Sequence, residues 1–287
     1  MSINSANEYW VKTGSLQHSD LQGNDLVDPP NVRHYLISGT QHGGPSDANS
    51  FGICQQFGSP VDPNPALRAL FIALDQWLDG REPPESMIPC HSNGTAVLAN
   101  TTGNSPLGVG TVSPIALNWP AIPSVLFTGL ITVRNLFNFG PQFEQGIINI
   151  NPPKTTGLYY PSFVSKVDDD GNEVAGIRLP PMIVPLGTAT GWNLRRADYN
   201  GNDGCEAAGS FIPFAPDTAT RIAKKDPRLS LTERYNNHTG YIAAVAAAAD
   251  ALFNQRLLLL ADTQAYIDAA QELIKVVNSP LYGNYTW

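Results

Sequence analysis

Apolar positions recur along this chain in several distinct rhythms. Residues 32–38, Val32-Arg33-His34-Tyr35-Leu36-Ile37-Ser38, form a short, largely apolar run closed by Gly39, which predicts a buried strand. Between residues 64 and 79, Leu67, Leu70, Phe71, Leu74, Trp77 and Leu78 follow the i, i+3, i+4, i+7 spacing of an amphipathic helix. Pro63 and Pro65 suit the start of that helix, and Gly80 followed by Pro83-Pro84 suits its end. Further on, Ser230 with Glu233 three residues later has the spacing of a capping box. Residues 241–260 are rich in Ala and Leu and predict a long helix. Asp262 is placed to cap a final helix reaching about Val277, with Tyr266, Ile267, Ala270, Leu273 and Ile274 on one side. The two are expected to pack antiparallel.

The middle of the chain lacks such rhythm. Pro114, Pro120, Pro123, Pro141, Pro152 and Pro153 interrupt any long element, so residues 81–160 read as an extended wrapping segment with short strands. Two alternating runs, residues 163–167 and 174–179, flank Asp168-Asp169-Asp170-Gly171-Asn172. A calcium loop with Gly171 at its sixth position would put Lys166 first and Ile177 twelfth, where carboxylates are needed. A β-hairpin turn is the expectation. Three regions follow: residues 1–90, the end of an α/β core with its last strand and helix; 91–215, irregular with the hairpin; and 216–287, helices packed on the same domain.

Composition narrows the class. Charged residues make up 15% of the 287, against roughly 25% in an average soluble domain. Glycine (25) and proline (24) are plentiful, while 42% hydrophobic content indicates ordered loops rather than disorder. A net charge of -8 argues against nucleic-acid binding, which usually leaves a basic footprint. No apolar run reaches the length of a membrane span. The first residues carry no signal-peptide pattern, so a cytoplasmic location is the default expectation. Cys54, Cys90 and Cys205 are far apart and form no Cys-x-x-Cys pair, which speaks against a metal site and leaves one bridge open.

The chemistry concentrates near the start. Glu8 lies in Asn4-Ser5-Ala6-Asn7-Glu8-Tyr9-Trp10, and His42 lies in Gly39-Thr40-Gln41-His42-Gly43-Gly44, just past the first predicted strand. In α/β folds, chemistry sits outside the carboxyl ends of strands. An acid at one strand end and a histidine past the next are the orienter and general base of a serine–histidine–acid triad. The serine is expected on a Gly-x-Ser-x-Gly turn, and the chain contains none. Ser38 and Ser210 are the nearest local alternatives. Trp192 and Asn193 either line a substrate cleft or form a turn packed by one tryptophan. His18 is expected to hydrogen-bond a loop near the site, His34 to pack within the sheet, and His91 and His238 to be solvated. No His/Cys/Asp/Glu cluster has metal-ligand spacing, and no cofactor is expected.

Several stretches in order carry a family resemblance. They are Glu8-Tyr9-Trp10 with Ser15-Leu16-Gln17-His18-Ser19-Asp20; Val32-Arg33-His34-Tyr35 with Gly39-Thr40-Gln41-His42-Gly43; Arg68-Ala69-Leu70 to Trp77; Val167-Asp168-Asp169-Asp170-Gly171-Asn172-Glu173; Gly176-Ile177-Arg178-Leu179-Pro180; Pro185-Leu186-Gly187-Thr188-Ala189-Thr190-Gly191-Trp192-Asn193-Leu194-Arg195; and Gly209-Ser210-Phe211-Ile212-Pro213-Phe214-Ala215. On these the chain resembles the C-terminal part of the bacterial "α/β hydrolase domain-containing" proteins. The resemblance implies an α/β fold, the C-terminal portion of an α/β-hydrolase type, with Glu8 as triad acid and His42 as general base. It implies a serine hydrolase acting on small-molecule esters. The early strands, oxyanion hole and nucleophile would come from an N-terminal half, on a separate or cleaved chain. The alternative expectation is a non-catalytic binding or structural module that kept the fold and lost the reaction.

Overall fold

Ser5 closes one strand and caps the next helix, and the amino-terminal architecture follows from that double use. In the computed structural model, which describes residues 1–46, 51–101 and 108–273, β1 (Ser2–Ser5) runs directly into α1 (Ala6–Val11). The Ser5 hydroxyl accepts the Glu8 N–H, and the Glu8 carboxylate accepts the Ser5 N–H, closing a capping box. β2 (His34–Ile37) lies parallel to β1, with Ile3 opposite Tyr35 and Ser5 opposite Ile37. The strand expected over residues 32–38 is thus present in its central part. On the other side of β2, short stretches around Met87 and Ile177 also run parallel to it. Tyr35, Leu36 and Ile37 are buried, as a strand covered on both faces requires.

The helix expected after His42 forms as α2 (Asn64–Leu78), but a different side of it is buried. Ala66, Ala69, Leu70 and Ala73 face inward, three of them small enough to let the helix lie close to its neighbours. Leu70 packs in one core cluster with Tyr35, Ile37 and Ile177. Much of the line of larger residues used to predict the helix lies outside: Phe71 is 75% exposed, Leu78 82% and Leu67 36%.

The proline-rich middle forms only short strands: β3 (Ala96–Leu98), β4 (Val109–Thr111), a turn of helix α3 (Pro114–Leu117), β5 (Leu130–Thr132), β6 (Asn135–Asn138), β7 (Lys154–Tyr159) and β8 (Phe163–Ser165). They pair antiparallel as β3–β8, β4–β5 and β6–β7. Val97, Leu117, Ile131 and Val164 join Trp10 and Trp192 in a second core cluster. The expected hairpin is reduced to its turn. Asp168 and Asn172 close the loop, and one antiparallel bridge links Val167 to Glu173. The outgoing run leaves to lie beside β2 at Ile177, while β8 pairs with β3. The acids of the loop are engaged by cations, Asp168 by Arg178 at 2.9 Å and Asp170 by Arg234.

The remainder holds α4 (Pro180–Ile183), the antiparallel pair β9 (Gly187–Thr190) and β10 (Ser210–Pro213), then α5 (Thr218–Lys224), α6 (Leu231–Tyr235), α7 (His238–Asn254) and α8 (Leu260–Glu272). The Ser230–Glu233 capping box opens α6. The long helix stops at Asn254 rather than near residue 260: Arg256 takes a left-handed φ of 63°, and Leu257 and Leu258 turn into the core. Asp262 is not the cap of α8, whose N-cap is Leu259; buried in the first turn, it pairs with Arg68 of α2, Oδ2 to Nε at 3.2 Å. The two helices run antiparallel, and His238, expected in solvent, is half-buried with Nε2 2.8 Å from the Ala270 carbonyl. The predicted extension to Val277 lies outside the described residues.

Candidate active site

α1 and the end of β2 bring Glu8 and His42 together. The capping box fixes Glu8 through Oε2, 2.6 Å from the Ser5 nitrogen, which leaves Oε1 facing Nδ1 of His42 at 3.3 Å. The Glu8 side chain is 25% exposed and that of His42 51%. Both line a cavity of about 390 Å³ with Ile3, Ile37, Pro63 and Leu67. Among the described residues, Nε2 of His42 has no hydrogen-bond partner. Ser5 is the serine lining this cavity among them, and its hydroxyl is committed to capping α1.

The loop bearing His42 is tied down at each step. Gly39 has φ +70°, and a Cβ there would come 2.3 Å from the Met182 sulfur, so glycine is required. Its N–H donates to Oε2 of Glu173 at 2.8 Å. Thr40 joins the two halves of the site: its hydroxyl donates to the Ile37 carbonyl (2.6 Å) and accepts the Ala6 N–H (3.1 Å). Its carbonyl accepts the Asn7 N–H at 3.1 Å, so the base's loop is clamped to the helix carrying the acid. Gln41 braces the turn through the Gly44 carbonyl at 2.7 Å, and the His42 N–H donates to the Ala207 carbonyl at 3.1 Å. Glu173 is buried, with Oε1 lacking a partner among the described residues, and burial pushes its carboxyl up to about 7.

The other expected residues lie elsewhere. Trp192 is buried against Trp10, Trp119 and Phe127, with ring centres 5.3–6.0 Å apart. Asn193 is buried as well, its amide donating to the Gln56 and Gly209 carbonyls at 3.1 and 3.0 Å. Neither lines the Glu8–His42 cavity. Ser38 is buried and donates to the Ala175 carbonyl at 2.6 Å, and buried Ser210 bonds to the Trp192 carbonyl at 2.9 Å. His18 is buried 2.7 Å from the Tyr9 hydroxyl; burial lowers its pKa to about 4, which keeps it neutral. His34 is half-buried and pairs with Asp28 at 2.7 Å, and exposed His91 sets its ring edge-on to Phe163. Thr40 and Glu173 lie in stretches that carry the family resemblance, but no role is expected of either from the sequence, and the one bridge it leaves open is made by two of the three cysteines. Cys54 and Cys205 form a disulfide, while Cys90 is free.

Helices and strands arranged about a parallel strand pair, with an acid and a histidine facing each other at its carboxyl end, define a protein of the α/β class. The chain belongs to the alpha/beta hydrolase domain family, whose model matches residues 1–268. No curated protein and no solved structure matches it. No helix among the described residues is long and apolar enough to cross a membrane.

Proposed function

We propose that this chain supplies the acid and the base of a serine hydrolase acting on carboxylic esters. In this reading the nucleophilic serine, the oxyanion hole and the earlier strands belong to polypeptide outside these 287 residues. The observation that carries it is the Glu8–His42 pair, with Nδ1 3.3 Å from the acid, Nε2 without a hydrogen-bond partner among the described residues, and both side chains lining one cavity. A serine reaching Nε2 gives its proton to His42 as its oxygen attacks the ester carbonyl. Glu8 holds the proton on Nδ1 and stabilises the imidazolium. His42 then returns the proton to the departing alkoxide, and a water deacylates the serine by the same route. Trp192 and Asn193, held in packing and backbone bonds, take no direct part.

Two surfaces support completion by further polypeptide. Ser2 and Asn4 turn their backbone groups toward β2, so those of Ile3 face the outer edge of β1. No strand among the described residues pairs with that edge, and an unpaired edge in a parallel sheet is an invitation to another strand. Beside it, Leu67 lines the same cavity as Ile3, and the exposed line Leu67, Phe71 and Leu78 continues along α2. The test is hydrolysis of short acyl esters by this chain with and without a candidate amino-terminal half. Activity is expected only from the pair, falling about a thousandfold or more in His42→Ala. Turnover by this chain alone would refute the reading. No turnover in any combination would favour the binding or structural module.

A further inference from the structure

The Cys54–Cys205 bridge joins residues 151 positions apart, with Cα atoms 5.9 Å apart. Cys205 is buried, but the next two residues, Glu206 and Ala207, are exposed at the surface. That exposed turn nevertheless makes two bonds to the candidate site. The Ala207 carbonyl accepts the His42 N–H at 3.1 Å, and the Glu206 carbonyl accepts the side-chain amide of Asn7, next to Glu8, at 2.9 Å. Cys54 is itself anchored: it sits in an antiparallel bridge with Arg195, between Arg196 N–H to Ile53 O at 3.0 Å and Gln55 N–H to Leu194 O at 2.7 Å.

We propose that the disulfide positions the general base: by pinning Cys205 to the Cys54 segment, it holds the Ala207 carbonyl where it fixes the loop of His42 and keeps Nδ1 turned to Glu8. Cys54 and Cys205 are therefore positioning residues, and the reading rests on the roles proposed above for Glu8 and His42. A dithiol reductant hands two electrons and two protons to the bridge and closes to its own cyclic disulfide, leaving two protein thiols. The turn is then held by the Cys205 N–H to Asn193 O bond (2.8 Å) and the neighbouring Leu194–Gly204 bridge. The base loosens while the sheet under it stays intact.

The full chain is tested by NMR before and after treatment with dithiothreitol, and as the Cys54→Ser/Cys205→Ser variant. Amide exchange at His42 is expected to rise about tenfold or more on reduction, with Leu36 and Ile37 changing less than about twofold. Imidazole 15N shifts, which report the nitrogen bearing the proton, are expected to move away from the Nδ1–H form. An unchanged His42 amide overturns the proposal. Equal loss of protection at Leu36 and Ile37 also overturns it, since the bridge is then a general staple. Should the variant fail to fold, chemical reduction of the folded protein decides the matter. Glu8→Gln in the oxidised protein separates the two readings. If it leaves the 15N shifts unmoved, the acid–base pair itself falls; if it moves them and reduction does not, only the role of the bridge falls.

Discussion

Glu8 performs two tasks with two oxygens, one closing the capping box and one facing His42. Its approach to His42 was legible in the sequence from its place ahead of that histidine. Its structural use was equally written there, as the Ser-x-x-Glu spacing of Ser5 and Glu8 that also marks Ser230 and Glu233. The two tasks separate by mutation. Ser5→Ala removes the helix cap and is expected to lower stability by about 1 kcal/mol in urea unfolding. Glu8→Gln keeps an acceptor for the Ser5 N–H but removes the charge, so stability changes by less than about 0.5 kcal/mol while the Nδ1–H preference of His42 is lost. Glu173 was not legible, because nothing local marks a glutamate that tertiary packing will bury. Its carboxyl titrates near 7 in the fold, above its unfolded value, so the native state holds a proton that the unfolded chain has already released. Stability is therefore expected to fall as pH rises from about 4.5 to about 7, by about 3 kcal/mol at most, and to level off above. Unfolding curves across that range should flatten in Glu173→Gln; an unchanged slope would contradict the burial account.

At the scale of elements, hydrophobic period identified α2 and its limits but not the side that is buried. Apolar spacing cannot tell a face packed on this chain from one left for another, and here alanines take the inner side. The contrast is measurable. Leu70→Ala should cost about 2–5 kcal/mol, as a buried leucine lost from the core cluster. Phe71→Ser should leave stability within about 0.5 kcal/mol, yet weaken association with an amino-terminal half. A large loss of stability in Phe71→Ser would remove the surface from the account. The hairpin at residues 168–172 failed for a similar reason: its turn is local chemistry, whereas the partners of β8 and of Ile177 are decided by distant strands. The end of α7 depends on Leu257 and Leu258 finding a core that no local pattern announces.

For the whole molecule, β2 and α2 on either side of His42 were readable from apolar period, whereas α1, the short helix that carries Glu8, was not expected from the sequence. The Cys54–Cys205 bridge was not readable, since three cysteines with no short spacing leave their pairing open. Its stability belongs to this scale: Cys54→Ser/Cys205→Ser is expected to lower unfolding free energy by about 2–5 kcal/mol. Disulfides persist where the surroundings are oxidising, which runs against the cytoplasmic default drawn from the sequence. In the function proposed above, an acid and a base here wait on a hydroxyl carried elsewhere. The most direct measurement is to label the protein from its native host with a fluorophosphonate probe and identify the modified serine by mass spectrometry. Adduct is expected on a serine outside these 287 residues, in a polypeptide that accompanies or adjoins this one, and is expected to be lost in His42→Ala. Adduct on a serine of this chain, such as Ser5, Ser38 or Ser210, would contradict it.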